Sequence, residues 1–191
     1  MSTFQVDLRG MVDLLSRNLY SGPRVYIREL LQNGLDAIEA RSALDPDCPR
    51  RVTITIEGRT LRCRDSGIGL TEQEAAGLLS TIGASSKRDE LGMARSDFLG
   101  QFGIGMLSCF MISDSITVYS RSAKSPDSPT VIWEGKTEGT YTTQPLPASD
   151  PHNLGEAGTE VVLEAHPGEP WIDPDTVRAL VDEFASLLPI S

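Results

Sequence analysis

The 191-residue chain is poor in the residues that build covalent staples and metal centres, with three cysteines and two histidines. Cys48, Cys63 and Cys109 are odd in number, widely spaced and free of any Cys-x-x-Cys pair, which argues against a disulfide framework or a zinc site and for buried free thiols. His152 and His166 lie in Pro- and Gly-rich surroundings without a spaced partner, so neither is given a role. A run of about 18 apolar residues is missing, and the start "MSTFQVDLRG" lacks the basic and apolar regions of a signal peptide; a cytoplasmic location is expected. Positive charge is also short. Lys plus Arg number 17 against 27 Asp plus Glu, and the net charge of -10 opposes a non-specific grip on nucleic acid or an anionic membrane. Two common nucleotide-binding signatures fail as well. "GKT" at 135–137 has Thr130 where a P-loop requires glycine, and Gly103-x-Gly105 is followed by Ser108 where the dinucleotide fingerprint requires glycine.

What remains is globular composition, 39% hydrophobic and 23% charged, at a length that suits one domain with no internal repeat. Residues 4–19 read as a strand or arm followed by a helix with Met11, Leu14, Leu15 and Leu19 in phase. Pro23 opens a second helix that runs to about Leu44. Val52, Ile54 and Ile56 alternate with polar residues, and "TLRCRD" follows a Gly58 turn, which predicts a hairpin ending at Asp65. Thr71 and Glu74 form a capping box ahead of a helix carrying Ala75, Leu78, Leu79 and Ile82. Residues 83–97 are polar and read as a lid. "FLGQFGIGMLSCFMI" suggests a glycine loop feeding a buried helix. "SITVYS", "TVIWEG", "TYTTQPL" and "TEVVLEA" are successive strands, with Trp133 in the core, and Asp173-Pro174 starts a last helix. The pattern predicts an α+β two-layer sandwich on a mixed, largely antiparallel sheet with helices on one face.

Four segments carry candidate chemistry. On the second helix Ile27, Leu30, Leu31, Leu35 and Ile38 gather on one side and Glu29, Asn33 and Asp36 on the other. An ordinary solvated face gives the same pattern. In "RDSGIGL", Asp65 at a strand end is an acceptor that suits a ligand amine such as that of adenine, although a simple Asp-Ser-Gly turn reads identically. "GQFGIG" offers backbone amides at a helix start, suited to phosphate, or a plain glycine turn. "GTEVV" sets Thr159 at a strand start, where its hydroxyl shares the aspartate's ligand or serves only β-propensity.

The ordered set of E-x-x-x-N-x-x-D, D-x-G-x-G, G-x-x-G-x-G and G-T resembles the GHKL ATPase superfamily, which includes DNA gyrase B, heat-shock protein 90, histidine kinase and MutL types. "LYSGPRVYIRELLQNGLDAI", "RDSGIGLTEQE", "LLSTIGASSK" and "GQFGIGMLSCFMISDSITVYSR" look like the heat-shock protein 90 family, of the bacterial HtpG type, over about residues 4–188. The likeness corresponds to that family's N-terminal nucleotide-binding domain, with the middle and C-terminal dimerisation domains absent from this chain.

The resemblance implies the Bergerat (GHKL) ATPase fold, an ATP or ADP ligand with Mg²⁺, and a chaperone that closes a lid at about 83–99 and clamps as a homodimer on client proteins. It assigns Glu29 to polarising the attacking water and Asn33 to Mg²⁺. Asp65, with Thr159, is assigned to the adenine amine, Asp36 to a water-mediated contact and Gly69 to close backbone approach. Leu70, Leu79 and Phe102 line the pocket, and Gly100, Gln101, Phe102, Gly103, Ile104 and Gly105 cradle phosphates. Ala40 and Ala84 stand where the family's chaperones usually carry lysine, with Lys87 and Arg88 nearby as substitutes. Because the family's transition-state arginine comes from a middle domain, weak hydrolysis is expected of this piece. Two alternatives remain: a gyrase B or MutL type acting with DNA, against which the net charge weighs, and a non-catalytic nucleotide-binding interaction module.

Overall fold

Alternating β-branched and polar residues produce the first hairpin. Strands β1 (Val52–Glu57) and β2 (Thr60–Asp65) pair antiparallel from Val52↔Asp65 to Glu57↔Thr60. Gly58 at φ 59° takes the left-handed turn between them. The structure, a computed structural model, describes residues 23–77, 105–125 and 127–185. The helix expected within 4–19 and the lid of 83–99 lie outside these residues.

Helix α1 (Val25–Ser42) precedes the hairpin. Strands β3 (Ser113–Arg121), β4 (Val131–Lys136), β5 (Tyr141–Pro145) and β6 (Gly158–Ala165) follow it, and then helix α2 (Pro174–Ala185). They form one six-stranded sheet in the order β1-β2-β6-β3-β4-β5. The α+β class is as expected, but the described pairings are all antiparallel rather than mixed. β6 inserts between β2 and β3, running antiparallel to both, whereas parallel neighbours require a crossover between like-directed strands.

One face of the sheet meets the helices. Leu61 and Cys63 of β2, Val161 and Leu163 of β6, and Ile116 and Val118 of β3 join Ile27, Leu30 and Leu31 of α1 and Val177, Leu180 and Phe184 of α2 in the main core. Trp133 is buried in this core, as expected. On the reverse face Tyr119, Leu146 and Leu154 form a smaller cluster with Ile132 and Val162. The three cysteines are buried and free.

Side-chain caps hold at two of the described helix starts. Thr71 N donates to Glu74 Oε2 (2.9 Å) and Glu74 N to Thr71 Oγ1 (3.3 Å), closing the capping box. The Asp173 carboxylate accepts from the amides of Asp175 and Thr176, both at 3.1 Å, to cap α2. The buried helix expected after the glycine loop is a 3₁₀ helix, Met106–Met111. There Ser108 Oγ donates to Gly105 O at 2.6 Å and competes for a carbonyl that an α-helix would use.

Leu163 has no exposed surface on the central strand β6. Leu163→Ala is expected to lower unfolding stability by about 2–5 kcal/mol through lost burial and a residual cavity, measured as a reduced urea midpoint at unchanged slope.

Candidate functional site

The sheet ends in a polar row. The β2–β6 register runs to Arg64↔Glu160, so its next step sets Asp65 beside Thr159, and the β6–β3 register sets Thr159 opposite Ser120. All three side chains are buried on the helix-facing side. Asp65 Oδ1 accepts from Gly67 N (2.8 Å) and Thr159 N (3.2 Å), while Oδ2 has no donor among the described residues. Burial pushes the Asp65 carboxyl up to about 6 from 3.8, against the opposing pull of the Gly67 and Thr159 amides and of Arg64. Ser120 Oγ lies 2.9 Å from Thr159 Oγ1 and accepts from Leu70 N at 2.8 Å.

Helix α1 approaches this row closely. A β-carbon on Gly34 would lie 3.3 Å from Asp65 Cβ and 2.9 Å from Val52 Cγ2. Ile68 N donates to Ala37 O at 2.9 Å, and a β-carbon on Gly67 would come within 2.4 Å of Ala37 Cβ. The α1 residues opposite the apolar stripe are therefore not a solvated face. Asn33 is only 5% exposed, and its Nδ2 has no hydrogen-bond partner among the described residues. Asp36 Oδ1 accepts from Gln32 Nε2 at 2.8 Å, but its buried Oδ2 is also unpartnered there. Two orphaned buried polar atoms one turn apart on one helix face, beside a buried carboxylate, describe a surface arranged for a polar ligand.

Glu29, one turn before Asn33, has its carboxylate against the backbone at Gly105, where a β-carbon would stand 2.1 Å from Oε2. Only glycine permits that approach. Burial raises the Glu29 carboxyl above its ordinary value, Asp36 adds to the rise, and Arg28, 3.5 Å from Oε1, opposes it.

Gly69 carries a packing constraint of its own. Gly69 sits at φ 63°, and a β-carbon there would strike Arg121 O at 2.0 Å, so the bare backbone admits the end of β3. Leu70 is buried beside it. Leu79, Gly100, Gln101, Phe102, Gly103 and Ile104 lie outside the described residues. Two contributors escaped the sequence reading. Ser120 looked like one more residue of a strand, although a serine in phase with the apolar Ile116 and Val118 was a signal. Arg41 binds Ser66 O (3.0 Å) and Ala157 O (3.3 Å), tying together the segments that carry Asp65 and Thr159; no motif marked it.

Residues 20–159 match the family described as "Histidine kinase-, DNA gyrase B-, and HSP90-like ATPase". The chain belongs to this ATPase family. It is also similar to proteins named "Chaperone protein HtpG", at 31% identity over 199 aligned residues, from Shigella dysenteriae serotype 1 (strain Sd197) and Escherichia coli (strain K12). Each alignment covers 95% of this chain and 31% of the relative, so the chain spans about a third of the length of these curated relatives. Among the described residues, the segments that carry Glu29, Asn33 and Asp36, Asp65, and Thr159 meet at the buried row and the polar helix face.

The shifted carboxyl has a measurable consequence. Its folded value lies above the unfolded one, so the stability it contributes is complete below 3.8 and is lost as pH rises through about 6. Asn in its place keeps an oxygen for the Gly67 and Thr159 amides and never ionises. Asp65→Asn is expected to gain about 1 kcal/mol relative to the unsubstituted protein between pH 5 and pH 8, read from urea unfolding at both values. An equal difference at the two values would mean that Asp65 is not held up.

Proposed function

We propose that this chain is the ATP-binding and ATP-hydrolysing domain of a heat-shock protein 90-like chaperone. The observation that carries this reading is the buried Asp65 at the end of the sheet, whose Oδ2 has no donor among the described residues, next to the buried polar face of α1. An ionised carboxylate accepts the exocyclic amine of adenine and repels a carbonyl, and Thr159 supplies a hydroxyl next to it. Leu70 and Gly69 wall the base, and Gly100–Gly105 with the lid at 83–99 enclose the phosphates.

Glu29 is the water-polarising group. Its raised carboxyl pKa brings its basicity closer to what proton abstraction at neutral pH demands, and Gly105 leaves its carboxylate room beside the glycine segment. Asn33 suits a ligand for Mg²⁺ through its Oδ1, with its buried, unpartnered Nδ2 left to donate to a phosphate oxygen, on the helix face that also carries Glu29 and Asp36. Mg²⁺ characteristically keeps several waters and phosphate oxygens and needs few protein ligands. Bound there, Mg²⁺ supplies charge neutralisation at the phosphates. Asp36, fixed by Gln32, keeps one oxygen for an ordered water.

The chaperone assignment rests on the HtpG relatives and extends to nucleotide-driven lid closure, a homodimer clamp and client proteins in a longer protein. Weak hydrolysis by this domain alone belongs to the same reading, because the family it resembles takes its transition-state arginine from a middle domain. The direct test is calorimetric titration with ADP and ATP, with and without Mg²⁺. Saturable binding that Asp65→Asn abolishes supports the pocket. No binding by the folded domain removes it, and retardation of DNA in a gel at physiological salt would revive the DNA-acting alternative.

Glu29→Ala in the full-length protein is expected to retain nucleotide within about threefold and to lower turnover by 10²-fold or more, from calorimetry and steady-state phosphate release. Turnover that survives the change removes Glu29 from this role.

A further inference from the structure

We infer that the apolar groove between β1 and α2 is the docking site of this chain's own residues 186–191, which lie along the free edge of β1 as a further strand. The inference goes beyond the nucleotide reading and does not depend on it.

Among the described residues β1 is an outer strand of the sheet, so its amides and carbonyls that are not bonded to β2 face an open edge. Its inward side chains are also short of a neighbour. Val52, Ile54 and Ile56 are only partly buried, whereas Leu61 and Cys63 on β2 and Val161 and Leu163 on β6 are buried in the same layer. Together with Leu31 of α1 and Val177 and Val181 of α2, the three β1 residues line an open groove of about 340 Å³.

Helix α2 ends at Ala185, about one turn after Val181, so the chain leaves it beside the groove. The next residues are Ser186, Leu187, Leu188, Pro189, Ile190 and Ser191, none of them charged, and burying their side chains needs no ion partner. Pro189 disfavours the helical region for Leu188 and directs the segment to extended backbone. Six extended residues reach up to about 20 Å, the length of a strand such as β1. In that form Leu188 and Ile190 share one face and enter the groove. Their backbone groups then turn toward β1, and the N–H that Pro189 lacks falls on the outer side, where an edge strand tolerates proline. Docking completes the core under β1 and closes an edge on which two copies could pair.

The register identifies the amides that report on this contact. Ser66 N donates to Arg51 O at 3.0 Å, so alternate residues of β1, including Thr53, bond to β2, and the amides of Val52, Ile54 and Ile56 point to the free edge. The test is hydrogen exchange of the 191-residue chain followed by NMR. The Ile54 amide is expected to exchange at least about a hundredfold more slowly than in an unstructured chain, and Ile190→Asp to remove most of that protection. Ile190→Val should preserve it. Thr53 reports whether the variant is folded, and Leu188→Ser tests the same contact where Ile190→Asp unfolds the protein. Exchange of the Ile54 amide at the unstructured rate in the unsubstituted chain overturns the inference. Protection that survives both Ile190→Asp and Leu188→Ser also overturns it; if that protection grows with protein concentration, the groove belongs to a second copy.

Discussion

An ionisable carboxylate held 7% exposed at the end of β2 is the constraint around which the site is built. Desolvation alone would drive Asp65 to its neutral form, and two backbone amides with a nearby guanidinium pull partly against it. Those amides come from separate segments, the turn after β2 and the start of β6, so both must be docked with little slack. Gly158 at φ 137° shows how little: a β-carbon there would lie 2.2 Å from Asp65 O. Gly34 on α1 and Gly67 in the turn answer the same crowding from the helix side. Glycine inside a helix is disfavoured by roughly 1 kcal/mol relative to alanine, and the close approach of α1 to the sheet is the local reason for tolerating it here.

The two halves of the site differ in how they are satisfied. The row across the sheet is hydrogen-bonded within the protein through Thr159, Ser120 and Leu70, which holds one recognition surface in place. Helix α1 instead carries atoms with no described partner, on Asn33 and Asp36, together with a half-buried Glu29. On the proposed reading this division matches the ligand. A rigid base meets a finished surface, whereas the phosphates, the ion and the attacking water complete an unfinished one.

Much of the architecture could be read along the chain because its determinants are local. The hairpin of β1 and β2, the four later strands, the capping box at Thr71 and the start of α2 each follow from alternation, turn residues or caps within a few positions. The sheet order could not be read this way. Whether β6 lies at an edge or between β2 and β3 depends on burying Val161 and Leu163 against α1 and α2, a long-range choice with no local signature. The 3₁₀ form of Met106–Met111 likewise follows from its packing and from the bond between Ser108 and Gly105.

By itself the sequence determined the class of fold, the identity of most candidate site residues and, through the ordered set of short motifs, the family. Periodicity on α1 separated Glu29, Asn33 and Asp36 from the apolar stripe, but whether that face met water or protein was left open, because a polar pattern is the same in both cases. Only the tertiary structure decided it, by bringing β2, the Asp65 turn and Gly105 against the helix and burying Asn33. It also recruited Ser120 and Arg41, whose roles arise from partners 39 residues or more away in the chain or from two loops at once. A hydrogen bond between distant segments leaves no spacing to read, since folding alone makes those residues neighbours.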